Sequence, residues 1–485
     1  MDQATRKILD FFEWISQVPR CPGNEVALAD KIRQWADDLH LTHRTDATGN
    51  ICIDVPATAG AENAPPLIIQ GHMDMVCEKV PASNHNFASD PIKLIYEGDW
   101  VRADSTSLGA DNGIALALAM TLLDEQVAPR PSLELLFTVE EEIGLVGADQ
   151  LSPDFLKGRR LLNLDSEDEG IFTIGCAGGL DTRIALDLEA VPPSGATFCT
   201  LAASGLLGGH SGVDIHRGRA SGHKILARAL DALCKIAGIG LVHYQGGTVK
   251  NAICRDAQAT VVCPDVKAPE ITAAVEQLKA DLKVEYQSSD PGLALTCDFS
   301  SAPVAPGAVI SSADTQRVVS LLMALPHGVA AMVSDDPNLV ETSCNLARVD
   351  LEKGRLRIVM SQRSLLPSRL TAITDQIHAT VRLAGATASN EGSYPPWAPD
   401  PDSMLTQRCT DVYQALFGDE PRTATMHAGL ECAVIGQKFA GMDMISFGPD
   451  IEAPHSPQER MRLSSVERTW RFLVVLVQAL ADERQ

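Results

Sequence analysis

The chain has 485 residues, of which 45% are apolar and 21% charged, ample material for more than one packed core in a water-facing protein. Sixty-three acidic against forty basic side chains leave a net charge of −23, which repels nucleic-acid backbones and anionic lipid and argues against both as partners. No stretch reaches the roughly 18 apolar residues that a membrane helix needs, and the twelve cysteines are scattered without a CxxC pair, which predicts reduced thiols in a cytoplasmic protein.

In chain order, residues 1–19 read as an amphipathic helix without the layout of a signal peptide. Strands are expected at "NICIDVP" (50–56), "PLIIQ" (66–70), "SLELLFTV" (132–139) and "RRLLNLD" (159–165). Between the second and third lies "DNGIALALAMTLLDEQ" (111–126), apolar throughout and free of proline, a buried helix. Short apolar strands alternating with helices predict an α/β unit whose mostly parallel sheet has helices on both faces. From about residue 180 the pattern shifts to alternating runs and turn residues, then helices at 220–236, 268–283 and 314–324, a strand at 355–364 and a helix at 370–385. A proline-rich stretch, 393–403, precedes a helix (404–418), a strand-like "DMISFGPD" (443–450) and a C-terminal helix (464–483). The reading is an inserted α+β domain: 1–185 and 395–485 form one unit, and 186–394 are spliced into it.

Ligands of parallel α/β sheets bind beyond the carboxyl ends of the strands. Five separate turns here offer a carboxylate or an imidazole. His72 and Asp74 follow the second strand; Glu140, Glu141 and Glu142 follow the third; Asp165 ends the fourth. Asp111 opens the buried helix, and His455 follows the last strand. Singly, these pass as loop residues or helix caps. Together they conflict, because carboxylates about 4 Å apart repel by roughly 4 kcal/mol per pair at an effective dielectric near 20. Divalent cations remove the conflict. Histidine and carboxylate ligands without cysteine suit zinc, and also manganese or cobalt. Two ions sharing one acid form a recognised arrangement for hydrolysis. A further glutamate is left over as a general base, and Asp74 can orient the His72 ring.

The segments "GHMDM", "LGADNG", "EEIG", "NLDSE", "GGHSG", "GGTVKNAI", "HAGLEC" and "GPDIEAPHSP" resemble, in order, the motifs of the aminoacyl-histidine (Xaa-His) dipeptidases, within the co-catalytic zinc peptidases. The resemblance implies hydrolysis of Xaa-His (carnosine-like) dipeptides by a water held between two zinc ions and activated by a glutamate. It implies His72, Asp111 and Asp165 on one zinc, Asp111, Glu142 and His455 on the other, and a cis bond between Asp111 and Asn112. It makes Glu141 the base, Asp74 the partner of His72, and His210 a donor to the oxyanion. It assigns Asn251 and Arg363 to the substrate carboxylate, and His427, Gly429 and Glu431 to its amino end. The inserted domain becomes a lid and the protein a homodimer. The departures are Glu140 in place of threonine, Asp104-Ser105 in a segment that differs in relatives, and Cys254 in place of proline. Rival readings are a related N-acyl amino acid amidohydrolase or carboxypeptidase-type exopeptidase, a thiol hydrolase using Cys77 or Cys432, and a non-catalytic metal-binding scaffold.

Overall fold

A computed structural model describes residues 2–192, 197–300, 308–334 and 336–483. The chain divides into two compact units: Met1–Cys176, Trp397–Thr425 and Leu430–Gln485 form the first, Ala177–Pro396 and Met426–Gly429 the second.

The first unit is built on an eight-stranded sheet. Its order is Thr42–Thr45, Ile51–Val55, Leu133–Thr138, Leu67–His72, Arg160–Asn163, Asp443–Ser446, Ile171–Cys176 and Arg422–Met426. The four central strands, Leu133–Thr138 to Asp443–Ser446, run parallel. Every residue of Leu133–Thr138 and Leu67–His72 is buried, as a sheet covered on both faces requires. The strand at 51–55, expected within the parallel set, pairs antiparallel with Leu133–Thr138. It belongs to a hairpin with Thr42–Thr45, and the sequence pattern does not distinguish strand direction.

The buried helix appears as Ala110–Asp124, but Asp111 and Asn112 lack helical dihedrals and the bond between them is cis, as the resemblance implies. Ile114, Leu118 and Leu122 pack with Ile8, Phe12 and Ile15 of Gln3–Ser16 in one core that also includes Leu67, Ile69, Leu135 and Phe137. The helix Val26–Asp38 is not among the expected elements, although Leu28, Ile32 and Ala36 mark its buried face at helical spacing. A second, four-stranded sheet has the order Ile451–Glu452, Arg460–Arg462, Trp100–Ala103 and Leu94–Glu97. It closes residues 453–459 into a hairpin loop beside the strand that leads toward Asp111.

The second unit is a nine-stranded sheet whose assigned pairs are all antiparallel. The helices Gly222–Ile236, Ala268–Glu285, Ser312–Ala324 and Pro367–Leu383 share one core with it. This is the α+β pattern expected of the middle of the chain.

Cys21 and Cys77 form a disulfide with Cα atoms 5.8 Å apart, which corrects the expectation of uniformly reduced thiols. The guanidinium of Arg20 donates to the carbonyls of Met73 and Asp74, drawing the two segments together across a spacing of 56 residues that carries no local signal. Cys77 therefore offers no thiol in this state, and Cys432 is fully buried with its thiol pushed up by that burial, so neither supports a thiol hydrolase. Among the described residues no helix is long and apolar enough to cross a membrane.

Gly71, one residue before His72, sits where the buried helix meets the sheet. A Cβ there would fall 2.5 Å from Asn112 Oδ1 and 2.6 Å from Ala115 Cβ. Overpacking of this kind costs about 1–3 kcal/mol, so Gly71→Ala should lower the melting midpoint by several degrees; an unchanged midpoint would contradict the packing described.

Candidate metal centre

His72 closes its strand with a fully buried ring. Its Nδ1 lies 3.2 Å from Asp74 Oδ1, and its Nε2 lies 3.0 Å from Asp111 Oδ1 and 3.4 Å from Asp165 Oδ1. His455 Nε2 lies 3.0 Å from Asp111 Oδ2 and 3.1 Å from Glu142 Oε2. Asp111 thus turns one oxygen to each imidazole. Three ligand triples result at this rim among the described residues, each with its donor atoms within 4.8 Å of one another: His72–Asp111–Asp165 and Asp111–Glu142–His455, which share Asp111, and His72–Glu141–Glu142. All five residues expected to hold ions are brought together, from turns as much as 383 residues apart (455 − 72).

The backbone is shaped for this convergence. Glu140 and His455 have φ of 51° and 57°, a region non-glycine residues seldom enter and one often found at functional sites. Asp74 is fully buried, and its two oxygens accept from the amides of Glu141 and Glu142, each at 3.1 Å. The same carboxylate therefore faces the His72 ring and fixes the Glu141–Glu142 turn. Asn112 accepts from the His72 amide and donates to the Leu164 carbonyl, tying the strand ends before His72 and Asp165 to the start of the helix.

The electrostatics favour positive charge at this rim. Burial raises Asp165 to about 6 and Glu141 well above the ordinary carboxylate range, and neighbouring acids add to the effect. Burial disfavours protonated His455, yet Asp111 and Glu142 outweigh it and push the ring up to about 12. Glu142 Oε1 is buried with no hydrogen-bond partner among the described residues. An orphaned carboxylate oxygen beside a ring and a second acid fits a cation that would accept its lone pair.

A second cluster, Cys52, Asp54 and Glu134, has similar spacing but another character. Arg44 pairs with both acids, Lys157 Nζ is 3.1 Å from Asp54, and the amides of Lys157 and Gly158 donate to Glu134. Its charge is already balanced by protein groups.

Glu431 belongs to the first unit and is fully buried. It accepts from Thr138 Oγ1 at 2.7 Å and Gln70 Nε2 at 2.5 Å beneath the strand ends, and burial lifts its carboxyl to about 7. The remaining expected residues lie in the second unit. His210 Nδ1 accepts from the amides of Gly212 and Val213, which leaves its ring hydrogen on Nε2. Asn251 turns its carbonyl to the Ser211 amide. Arg363 donates to the Tyr394 hydroxyl at 2.7 Å, and a Cβ on Gly429 would fall 2.7 Å from the same tyrosine ring. His427 pairs through Nε2 with Ser343 Oγ at 2.8 Å, and burial followed by the Arg363 charge lowers it to about 3. Reading the sequence does not foresee the backbone contacts of Arg20, Asn112 and Glu459: Asn112 is named there only for the bond that precedes it, while Arg20 and Glu459 lie 89 and 349 residues from the Gly109 and Ala110 groups they meet.

The family model for peptidase family M20/M25/M40 matches residues 68–479. The cytosol non-specific dipeptidase of Escherichia coli K12 is 38% identical over 480 residues, 98% of each chain. Among solved structures, the aminoacylhistidine dipeptidase of Vibrio alginolyticus aligns with a TM-score of 0.80 at 36% identity, covering 98% of this chain and 96% of that one. Human carnosine dipeptidase 1 shares the fold, with a TM-score of 0.54 at 11% identity over 99% and 97% of the two chains.

A ligand that binds only the folded state stabilises it by about 4 kcal/mol at a thousand times its Kd. Adding zinc, manganese or cobalt to chelator-stripped protein should therefore raise the melting midpoint by several degrees. The shift should shrink as pH falls from 7 to 5, because protons compete for the imidazoles and carboxylates. A midpoint indifferent to all three ions would contradict a cation-holding centre.

Proposed function

The chain belongs to peptidase family M20/M25/M40, and from that membership we propose that it is a metal-dependent dipeptidase that accepts Xaa-His among other dipeptides. The observation that carries the reading is the placing of Asp111, one oxygen toward His72 and the other toward His455, at the meeting point of two ligand triples. The names of the Escherichia coli and Vibrio alginolyticus relatives support the substrate class, and the former supports a cytoplasmic location.

In this reading His72, Asp111 and Asp165 hold one zinc ion and Asp111, Glu142 and His455 the other. Bound there, the ions supply Lewis acidity and an activated water. Glu141 is the general base. Its carboxylate is buried beside His72 and Glu142, and the Asp74 hydrogen bond to its amide fixes the turn it stands on. A carboxyl raised above its ordinary range by burial can take a proton from water and return it to the leaving amine. Asp74 holds the His72 ring with its hydrogen on Nδ1, leaving Nε2 to face the cation.

The first unit is then the catalytic domain and the second the lid. With its hydrogen on Nε2, His210 is suited to donate to a developing oxyanion. Arg363 offers a fork for a carboxylate, with Asn251 as a further polar group. His427 and Gly429 complete the substrate-side residues. Glu431 is the remaining residue of the amino-end set: its Oε2 is held by Gln70 and Thr138, and its buried Oε1 has no hydrogen-bond partner among the described residues.

Glu141→Gln should lower kcat for Xaa-His and neutral dipeptides by about 100-fold or more while metal content stays at the wild-type level. Normal turnover in this variant would remove Glu141 as base. Asp111→Ala should lose both ions, whereas Asp165→Ala should weaken mainly one; metal analysis of the purified proteins separates these outcomes. A substrate panel in which acetylated amino acids are cleaved and dipeptides are not would replace the dipeptidase with an amidohydrolase.

A further inference from the structure

Glu459 stands four residues after His455 in the hairpin loop 453–459, in a segment that reads as surface, yet its side chain is buried. Its Oε2 accepts from the amides of Leu108 and Gly109 at 2.7 and 3.0 Å, and its Oε1 from those of Ala110 and Asp111 at 2.8 and 3.3 Å. Four consecutive amides thus converge on one carboxylate. These are the amides an irregular helix start leaves without intrahelical partners, and here the start is irregular because Asp111 and Asn112 depart from helical dihedrals.

Arg20 grips the same segment from another side. It is buried, and it donates to the Gly109 carbonyl as well as to those of Met73 and Asp74. Gly109 has a φ of 70°, and a Cβ there would run into the guanidinium, so the residue that turns the chain also makes room for the arginine. The charge of Arg20 faces Glu459, Asp74, Asp111 and Glu142.

We infer that Glu459 and Arg20 are positioning residues that fix the shared ligand Asp111 against the other ligand loops: Glu459 locks the Asp111 segment to the hairpin that carries His455, and Arg20 locks it to the turn that carries His72 and Asp74. The inference rests on the reading that Asp111 serves two ions. Neither residue reaches the ligand oxygens, and each acts on the backbone that aims them. Outer partners of metal ligands typically govern about 10–100-fold in metal affinity. A glutamine at 459 would turn one amide nitrogen toward donors that need an acceptor, so the segment must shift or lose two of its hydrogen bonds.

The test is zinc titration of chelator-stripped protein against a competing chromophoric chelator, normalised to folded protein, alongside the melting midpoint of the metal-free form. Four proteins are compared: wild type, Glu459→Gln, Arg20→Lys and Glu134→Gln. Glu134 is the control, a buried carboxylate in the same unit that accepts two backbone amides and an arginine but stands apart from the ligand loops. Expected is a loss of about 10-fold or more in zinc affinity for Glu459→Gln and Arg20→Lys, with Glu134→Gln lowering the metal-free midpoint and leaving zinc affinity at wild type. If Glu459→Gln yields no folded protein, Glu459→Asp, which keeps the charge and withdraws it by one methylene, takes its place with the same expectation. Wild-type zinc affinity in the 459 and 20 variants, or an equal loss in Glu134→Gln, would overturn the inference while leaving the metal reading intact. A wild-type protein that binds no zinc would overturn both.

Discussion

The structure depends on the electrostatic conflict at one rim of a parallel sheet. Asp74, Asp111, Glu141, Glu142 and Asp165 converge there in buried surroundings. Unscreened carboxylates about 4 Å apart repel by roughly 4 kcal/mol per pair at an effective dielectric near 20, so the close pairs Asp111–Asp165, Asp111–Glu142 and Glu141–Glu142 together rival the net stability of a whole domain. Two imidazoles and one guanidinium relieve part of that repulsion. The ordinary alternative for crowded acids is the Cys52–Asp54–Glu134 cluster, where Arg44 and Lys157 neutralise the charge directly. The rim instead keeps an orphaned Glu142 oxygen and two rings aimed at one aspartate, an arrangement that cations complete.

The rest of the first unit follows from holding that conflict in place. Strand ends deliver His72 and Asp165, the start of a buried helix delivers Asp111, and a hairpin delivers His455. Each of these junctions is then tied to another: Asn112 to the strand ends, Asp74 to the Glu141–Glu142 turn, and Glu459 and Arg20 to the Asp111 segment. The packing agrees with this economy. Gly71 lies against Asn112 and Ala115, so the helix approaches the sheet closely enough for its first residues to reach the strand ends.

Much of this was legible in the sequence because the chemistry sits where the apolar runs stop. His72, Glu141, Glu142 and Asp165 each follow a buried strand, and Asp111 opens a run of apolar helix. Local pattern and site therefore coincide. What stayed hidden depends on contacts between segments distant in the chain. Arg20 in "VPRCPG" and Glu459 in "SPQERM" carry no periodic signal, and only the fold shows that one spans three carbonyls and the other gathers four amides. The Cys21–Cys77 bond escaped for the same reason, since it joins two turns 56 residues apart that Arg20 also bridges. The direction of the 51–55 strand was equally beyond reach, since a buried strand presents the same apolar run whether its neighbour runs with it or against it.

The most direct measurement is anomalous X-ray scattering from crystals of the zinc-loaded protein, collected on both sides of the zinc absorption edge. Two peaks about 3.5–4 Å apart, both in contact with Asp111 and each with one of His72 and His455, are the predicted result. A map with no peak at this rim, or with a single ion that leaves Asp111 untouched, would contradict the account that cations resolve the crowding of these acids.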